Sequence, residues 1–143
     1  MHTYESLKHT TWECKYHVVF IPKCRRKTLY QALRKHLGEV FRSLAERKES
    51  RIEEGLLRPD HVHMMISIPP KYPVSQVIGY IKGESAIHLA RVYGEQKRIF
   101  VGQHFWARGY YVSTVGIDEV VIRQYIQQQE AEDRRLDQLR LFD

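Results

Sequence analysis

Residues 51–70, RIEEGLLRPDHVHMMISIPP, contain the clearest structural pattern of the chain. Arg51–Leu57 and His61–Ile68 each have the length of a β-strand, and the second is rich in apolar residues. Arg58-Pro59-Asp60 between them is a short turn segment, and such a tight connection predicts that the two strands pair as an antiparallel hairpin. Pro69-Pro70 ends the second strand, because proline cannot donate a hydrogen bond to a neighbouring strand.

The segments on both sides of this hairpin alternate between strand and helix patterns. Cys14–Ile21 is rich in β-branched and aromatic residues and stops at Pro22, which predicts a strand. Apolar residues spaced three and four apart predict a helix over residues 29–48. A second helix, a fourth strand and a last helix follow, expected over Val74–Tyr93, over Phe105–Val115 and from the N-cap residue Asp118 onward.

The resulting order, β-α-β-β-α-β-α, predicts an α+β fold. Its first six elements match the ferredoxin-like (RRM-like) unit, an antiparallel sheet with helices on one face, in which the first and third strands lie at the centre. The last helix is an addition to that unit. Residues from about 130 to 143 form a charged tail that either continues this helix or frays. With no repeat and no linker-like segment, residues 1–143 are expected to form one domain.

The composition fits a globular protein with a polyanionic partner. Hydrophobic residues make up 43% of the 143 positions, enough for one core, and the net charge is +6, which suits nucleic acid without proving it. No apolar run approaches the roughly 18 residues of a membrane span, and the N-terminus lacks an apolar signal segment. A cytoplasmic location without membrane association is therefore expected. Cys14 and Cys24 match no zinc or redox motif.

His61-Val62-His63 is the first candidate functional motif. Residues i and i+2 of a strand point to the same face, so both imidazoles can bind one metal ion while Val62 points to the buried side. With 8 histidines in 143 residues, such a pair arises easily by chance, and alone it is a weak indication. Asp60 is interpreted as an ordinary turn residue, the alternative being that it supports a histidine ring.

Tyr125 and Gln129 are the second candidate pair. They are four residues apart on the predicted last helix, so both side chains lie on one face. A tyrosine can attack phosphorus and store the phosphodiester bond energy in an ester, which allows rejoining without ATP, and the glutamine carbonyl suits a third metal ligand. Alone, the pair is more typical of a core tyrosine and a solvated glutamine. The rival tyrosines, for which core or base-stacking roles are more natural, are Tyr80, Tyr110 and Tyr111.

Basic and aromatic residues form a third group, suited to nucleic acid. The cluster that follows the first strand is the best candidate for phosphate contacts, although each member is an ordinary solvated residue by default. The candidate DNA-binding residues are Lys23, Arg25, Arg26 and Lys27 in that cluster, and Lys82, Arg108 and Arg123 elsewhere. Candidates for stacking on unpaired bases, with burial an equal expectation for the tryptophans, are Trp12, Trp106 and His104.

Taken together, these motifs resemble one family, the single-tyrosine HUH transposases of the insertion-sequence 200/605 group. HUH denotes histidine, hydrophobic residue, histidine, which here is His61-Val62-His63. The likeness runs in order through nearly the whole chain. Its other segments are residues 15–20 (KYHVVF), the basic residues that follow them, and residues 79–83 (GYIKG), 105–112 (FWARGYYV) and 125–129 (YIQQQ).

The resemblance implies a metal-dependent enzyme that cleaves and rejoins single-stranded DNA at insertion-sequence ends. In that family the HUH histidines and the glutamine one turn after the nucleophilic tyrosine bind Mg²⁺ or Mn²⁺; these would be His61, His63 and Gln129, with Tyr125 forming a 5′-phosphotyrosine. Imidazole ligands alone suggest Zn²⁺ or Mn²⁺ as readily as Mg²⁺, so the metal identity rests on the resemblance.

The resemblance also implies partners and a host. The family binds DNA hairpins and forms homodimers whose sheets join, in bacteria or archaea. In at least one state each active site takes its histidines from one subunit and its tyrosine helix from the other, and Gly116 lies where a hinge before that helix is needed. The sequence leaves open the hairpin and target sequences and the placement of the tyrosine helix.

Two alternatives stay open at this point. One is a domesticated HUH endonuclease that acts on repetitive extragenic hairpins, although the spacing of Tyr125 and Gln129 and the short chain favour the mobile-element type. The other is a non-catalytic ferredoxin-like nucleic-acid-binding module. No RNP1-like stretch is present, however, and His61 and His63 would be unusual on its base-stacking platform.

Overall fold

The secondary structure consists of a short N-terminal hairpin, a four-stranded antiparallel sheet and three long helices. The computed structural model describes residues 5–7, 10–23, 27–58, 60–93, 105–116 and 119–140, to which all structural statements refer. The strands are β1 (Glu5–Leu7), β2 (Thr10–Trp12), β3 (Lys15–Phe20), β4 (Arg51–Leu57), β5 (Val62–Ser67) and β6 (Tyr111–Val115). The helices are α1 (Lys27–Arg47), α2 (Val74–Tyr93) and α3 (Glu119–Arg140).

The spatial strand order is β4-β5-β3-β6, with β3 and β5 at the centre, which confirms the predicted ferredoxin-like arrangement. β4 and β5 form the expected antiparallel hairpin, and His63 of β5 lies opposite Leu56 of β4 and Val19 of β3. Every residue of β5 is buried, because this strand has a neighbour on each side and helices cover both of its faces.

The two faces of the sheet are covered by different helices. Side chains of α1 and α2 form the main core with alternate strand residues such as Val18, Val62 and Met64. On the opposite face, Ile126 of α3 is 1% exposed and packs with Leu56 and Met65 in a smaller cluster. The C-terminal helix is thus the expected addition to the ferredoxin-like unit, and Ile126 is its buried apolar anchor on the sheet.

The predicted strand over Phe105–Val115 is wrong in its first half. An isolated bridge joins Trp106 to Pro22 just beyond the end of β3, and the chain then leaves the sheet. Gly109 has a φ of 80°, a left-handed conformation that glycine adopts without steric cost, and β6 begins only at Tyr111. Residues 105–110 therefore have the composition of a strand but form a bulge, which follows only from the backbone geometry.

Contacts to α2 hold this bulged segment in place. The Lys82 ammonium donates hydrogen bonds to the carbonyl oxygens of Ala107 and Gly109, at 2.9 and 2.7 Å. The Trp106 indole donates to the Ser85 hydroxyl at 2.9 Å and is 6% exposed. Trp106 is therefore a core residue, which leaves its ring unavailable for stacking on a base.

Several predicted boundaries also shift. Lys27 is the first residue of α1 rather than part of a loop after β3. His61 immediately precedes β5 and is not its first residue. The charged tail continues α3 as far as Arg140. The N-terminal hairpin β1–β2 was not predicted. No helix in the described ranges is both long and apolar enough to cross a bilayer.

Candidate active site

The sheet face that carries α3 presents two histidines from the two central strands. Successive side chains of a strand alternate between faces, so Val62 and Met64 point into the main core while His63 points toward α3. His17 on β3 lies on the same face, with its ring centroid 4.1 Å from that of His63. Val62 is 1% exposed, as predicted for the middle residue of the motif.

His63 is the most enclosed member of the site. It is 5% exposed, and its Nδ1 atom is buried with no hydrogen-bond partner among the described residues. Burial, followed by the neighbouring His17 and His61, lowers the pKa of His63 to about 4, against a smaller opposite effect of the Gln129 amide. The ring therefore stays neutral at physiological pH, which is the form that binds a metal ion.

His61 is held by the turn that precedes it. Its Nδ1 atom lies 3.0 Å from the Asp60 carboxylate, and its ring centroid lies 5.9 Å from that of His63. The contact fixes the ring and leaves Nε2 available for another ligand. Asp60 is therefore a turn residue that also orients the His61 ring, which was the alternative interpretation from the sequence.

Tyr125 and Gln129 of α3 lie beside these histidines in the same chain. The Tyr125 ring centroid is 6.1 Å from that of His63, and the phenol is half exposed. The Gln129 amide nitrogen donates a hydrogen bond of 2.6 Å to the Tyr125 hydroxyl. The Gln129 Oε1 atom is buried and has no hydrogen-bond partner among the described residues.

Polar contacts complete the attachment of α3 to its own sheet. Arg123 lies 3.4 Å from the Glu54 carboxylate and 3.9 Å from that of Glu53 on β4. Gln127 donates to Glu54 at 3.1 Å, one turn along the helix. Together with Ile126, these contacts position Tyr125 next to the histidine pair of its own subunit, an arrangement that the sequence left undetermined.

The donor set fits a divalent cation. The His61 and His63 ring centroids lie 5.9 Å apart. Nδ1 of His63 and Oε1 of Gln129 are buried without hydrogen-bond partners among the described residues, which is costly unless a ligand satisfies them. Within the described ranges, no group of three or more histidine, cysteine, aspartate or glutamate residues is arranged to hold a metal. The Gln129 amide as the third metal donor stays a prediction.

His17 is not among the site residues predicted from the sequence. Its Nε2 atom is in direct contact with Nε2 of His63, and its ring makes an edge contact with Tyr111 at 6.2 Å. Burial lowers the pKa of His17, so this imidazole is also kept neutral. In the sequence, this residue is a single histidine on a predicted strand. The register of β3 against β5, which the sequence does not specify, brings it next to His63.

A groove of about 450 Å³ extends from His63 around the β4 edge to α1. Two exposed basic side chains, Lys35 and Arg42, line it together with Gly55, and neither was selected from the sequence. The acidic residues Glu39 and Glu130 line the groove as well, so its formal charges balance.

Three predicted DNA-binding residues lie around one segment: the Lys23 amide donates to the Phe105 carbonyl, and Lys82 donates to the carbonyls on either side of Arg108. Lys23 and Arg108 are exposed, whereas Lys82 is partly buried and donates to backbone carbonyls. Arg25 and Arg26 lie outside the described residues, as does His104, and only the backbone of Lys27 is described. Their contacts with phosphate stay predictions.

The depressed pKa of His63 predicts a pH-dependent stability of the metal-free chain. Histidine titrates near 6.5 when unfolded but near 4 here, so between these values the unfolded chain binds more protons than the folded chain. The stabilisation is complete above about 6.5 and is lost as the pH falls toward 4. Urea unfolding in chelator should show this decline, and the decline should be shallower in His63→Gln. Identical pH profiles for both proteins would contradict the assignment.

Comparisons with known proteins agree on one family. The family model described as "Transposase IS200 like" matches residues 10–129. The transposase for insertion sequence element IS200 of Salmonella typhimurium is 45% identical over 135 residues, covering 94% of this chain and 89% of the relative. The ISDra2 transposase TnpA of Deinococcus radiodurans is 25% identical over 119 residues, covering 82% and 85% of the two chains.

Solved structures show the same fold. A crystal structure of a candidate transposase from Deinococcus radiodurans superimposes with a TM-score of 0.69 at 23% identity, covering 88% of this chain and 98% of that one. A REP-associated tyrosine transposase bound to a REP hairpin superimposes with a TM-score of 0.63 at 13% identity, covering 90% and 74%. These likenesses corroborate the four-stranded antiparallel sheet with its helices.

Proposed function

This chain belongs to the IS200-like transposase family, and we propose that it cuts and rejoins single-stranded DNA at the ends of an insertion sequence, with Tyr125 as the nucleophile. One observation carries the proposal: the Tyr125 hydroxyl, the Gln129 amide and the His61–His63 pair lie together on one face of the sheet. The turn before β5 and β5 itself supply the histidines, and α3, distant in sequence, supplies the other two groups.

The metal site of the proposal consists of His61, His63 and Gln129. Mg²⁺ or Mn²⁺ bound there would polarise the scissile phosphate and make its phosphorus more electrophilic. The orientation of the Gln129 side chain supports this role, because its nitrogen binds the Tyr125 hydroxyl while its buried oxygen is left for another ligand.

The covalent step is a transfer of the phosphodiester to tyrosine. The Tyr125 oxygen attacks phosphorus, the bond from phosphorus to the 3′ oxygen breaks, and that oxygen leaves as a hydroxyl with the proton that the phenol gives up. The product is a 5′-phosphotyrosine on the downstream strand. A 3′ hydroxyl of another strand then attacks this phosphorus, and the phenol regains its proton as it leaves. The hydrogen bond from Gln129 stabilises the phenolate that forms in each direction.

Several features support binding of a DNA hairpin. The chain carries a net charge of +6, which favours a polyanionic partner. The structurally similar REP-associated transposase is bound to a REP hairpin. The 45% identity to an IS200 transposase, however, favours insertion-sequence ends over extragenic repeats as the substrate. We expect the reaction to take place in the cytoplasm, where the DNA of a bacterial or archaeal cell lies.

The edge of the sheet supports a homodimer. β6 is an edge strand, and its Tyr111 and Val112 side chains are exposed, as are Val120 and Val121 at the start of α3. An exposed apolar edge is suited to pairing with a second copy. Ile126 is the buried apolar residue in the described part of α3, and Gly116 lies before the helix, where an exchange between subunits would need a hinge.

The direct test is a cleavage assay on labelled single-stranded oligonucleotides that span the sequences flanking the gene. We expect cleavage on one strand near a predicted hairpin, in Mn²⁺ or Mg²⁺ and not in excess chelator. The same oligonucleotide annealed to its complement is the control, because a duplex hides both the hairpin and the single strand. Binding without cleavage under all metal conditions would instead indicate a non-catalytic module.

A further inference from the structure

The bulge before β6 contains residues that regular strand pairing does not need. Val19 of β3 pairs with Tyr111, and further along β3 Pro22 forms the isolated bridge with Trp106. The first strand covers this stretch with three residues and the second with five, so the second contains two extra residues. Arg108 lies in the bulge with an exposed side chain that makes no ion pair or hydrogen bond among the described residues. Bulges of this kind often redirect a side chain.

Lys82 of α2 fixes the backbone of the bulge on both sides of Arg108. Its ammonium donates to the carbonyl oxygens of Ala107 and Gly109, at 2.9 and 2.7 Å, and lies 5.9 Å from the centroid of the Phe20 ring. No carboxylate of the described residues pairs with it. Burial disfavours the charged form and lowers the pKa of Lys82, so the hydrogen bonds must offset a cost that a neutral residue would not incur.

The bulge lies at the end of the sheet that carries the HUH motif. Phe20 near the end of β3 pairs with Val62 at the start of β5, and the start of β6 pairs with the same part of β3. β6 is two strands away from β5, so the bulge is roughly 10 Å from the HUH turn in the plane of the sheet. A DNA strand spans that distance with about three nucleotides, at a rise of about 3.4 Å each.

We propose that Lys82 is a positioning residue, which holds the bulge so that the Arg108 guanidinium binds a backbone phosphate of the single strand next to the scissile position. The proposal rests on the proposed function and assigns one of its DNA contacts. A guanidinium binds phosphate through paired hydrogen bonds of fixed geometry, so the placement of its backbone matters. A bulge that is already ordered loses less conformational freedom when DNA binds. Lys82 itself does not contact the DNA.

The test measures DNA binding in chelator, where no metal-dependent cleavage occurs. Fluorescence anisotropy at several KCl concentrations follows two labelled oligonucleotides from the sequences flanking the gene, one that ends at the hairpin and one that continues through the cleavage position. The proteins are the unmodified chain, Arg108→Gln, Lys82→Met and the double variant. Methionine keeps an unbranched side chain but has no donor. Arg91→Gln is the control for loss of charge, because Arg91 is an exposed arginine of α2 close to the other end of that helix.

We expect Arg108→Gln and Lys82→Met each to weaken binding of the longer oligonucleotide about tenfold, the scale of one charge-assisted hydrogen bond. The slope of log affinity against log salt concentration should fall in magnitude by about 0.7, the value for one phosphate of a single strand. The double variant should bind like either single variant, because both substitutions remove the same contact. Binding of the hairpin alone should not change, nor should any binding by Arg91→Gln.

Thermal melting shows whether each variant is folded, and Lys82→Gln, with a side chain one bond shorter, replaces Lys82→Met if the latter does not fold. Full affinity of folded Arg108→Gln would overturn the proposal, as would an equal loss for the hairpin alone. Full affinity of a less stable Lys82 variant would show that Lys82 only stabilises the fold. Additive losses in the double variant would show that Lys82 contacts DNA itself. Failure of the unmodified chain to bind either oligonucleotide would overturn the proposed function as well.

Discussion

Replacement of Tyr125 by phenylalanine is expected to abolish DNA cleavage while leaving the fold and hairpin binding nearly unchanged. The substitution removes only the hydroxyl, and the half-exposed ring can keep its place beside His63. We therefore expect the free energy of unfolding to change by less than about 0.5 kcal/mol. The rate of cleavage should fall by a factor on the order of 10⁴ or more, because no covalent intermediate can form without the phenol oxygen.

The position of the label on the DNA makes this test specific. A 5′-phosphotyrosine retains the downstream strand, so an oligonucleotide labelled at its 3′ end should give a protein–DNA adduct that resists denaturation, and one labelled at its 5′ end should not. Tyr111→Phe is the matched control, since Tyr111 is also exposed and lies 6.2 Å from His17, measured between ring centroids. Nicking by Tyr125→Phe at the normal rate would show that another group is the nucleophile.

The sequence predicted the sheet well because its strands carry strong local signals. The hairpin of β4 and β5 was marked by the apolar run of β5 and a three-residue turn, and the periodicity of α1 and α2 was regular. Failures occurred where local composition and backbone geometry disagree. Phe105–Tyr110 is aromatic and resembles a strand, yet the left-handed Gly109 and the Lys82 hydrogen bonds make it a bulge.

The residues of the candidate site could be predicted from the sequence where they belong to a short motif. His61 and His63 are two residues apart and Tyr125 and Gln129 four apart, so strand and helix periods place each pair on one face. His17 escaped notice because its proximity to His63 depends on the register between β3 and β5, and a shift of one residue would have turned it to the opposite face. The placement of α3 on its own subunit depends likewise on tertiary contacts, those of Ile126, Arg123 and Gln127.

Loss of either HUH histidine is expected to remove metal-dependent cleavage. In the proposed mechanism the cation supplies several kcal/mol of stabilisation to the phosphate in the transition state, so His61→Ala and His63→Ala should each reduce the rate at least about a hundredfold at limiting Mn²⁺. The two variants should differ in stability. His63 is 5% exposed, and its truncation leaves a cavity beneath α3, whereas His61 lies in the turn before the central strand β5 and is held by Asp60.

Substitution of Asp60 can distinguish a loss of metal binding from a loss of the folded structure. Asp60→Asn keeps an oxygen that can accept from His61 but removes the charge, so it should weaken Mn²⁺ binding by about 10- to 100-fold and leave the melting temperature nearly unchanged. Raising the Mn²⁺ concentration should therefore restore cleavage in Asp60→Asn, restore part of it in His61→Ala and leave His63→Ala inactive. His88→Ala, which alters a histidine pair between α1 and α2, is the control and should retain full activity. Undiminished cleavage by the unmodified chain in excess chelator would contradict the proposed metal centre, because the reaction would then proceed without a cation bound to its three ligands.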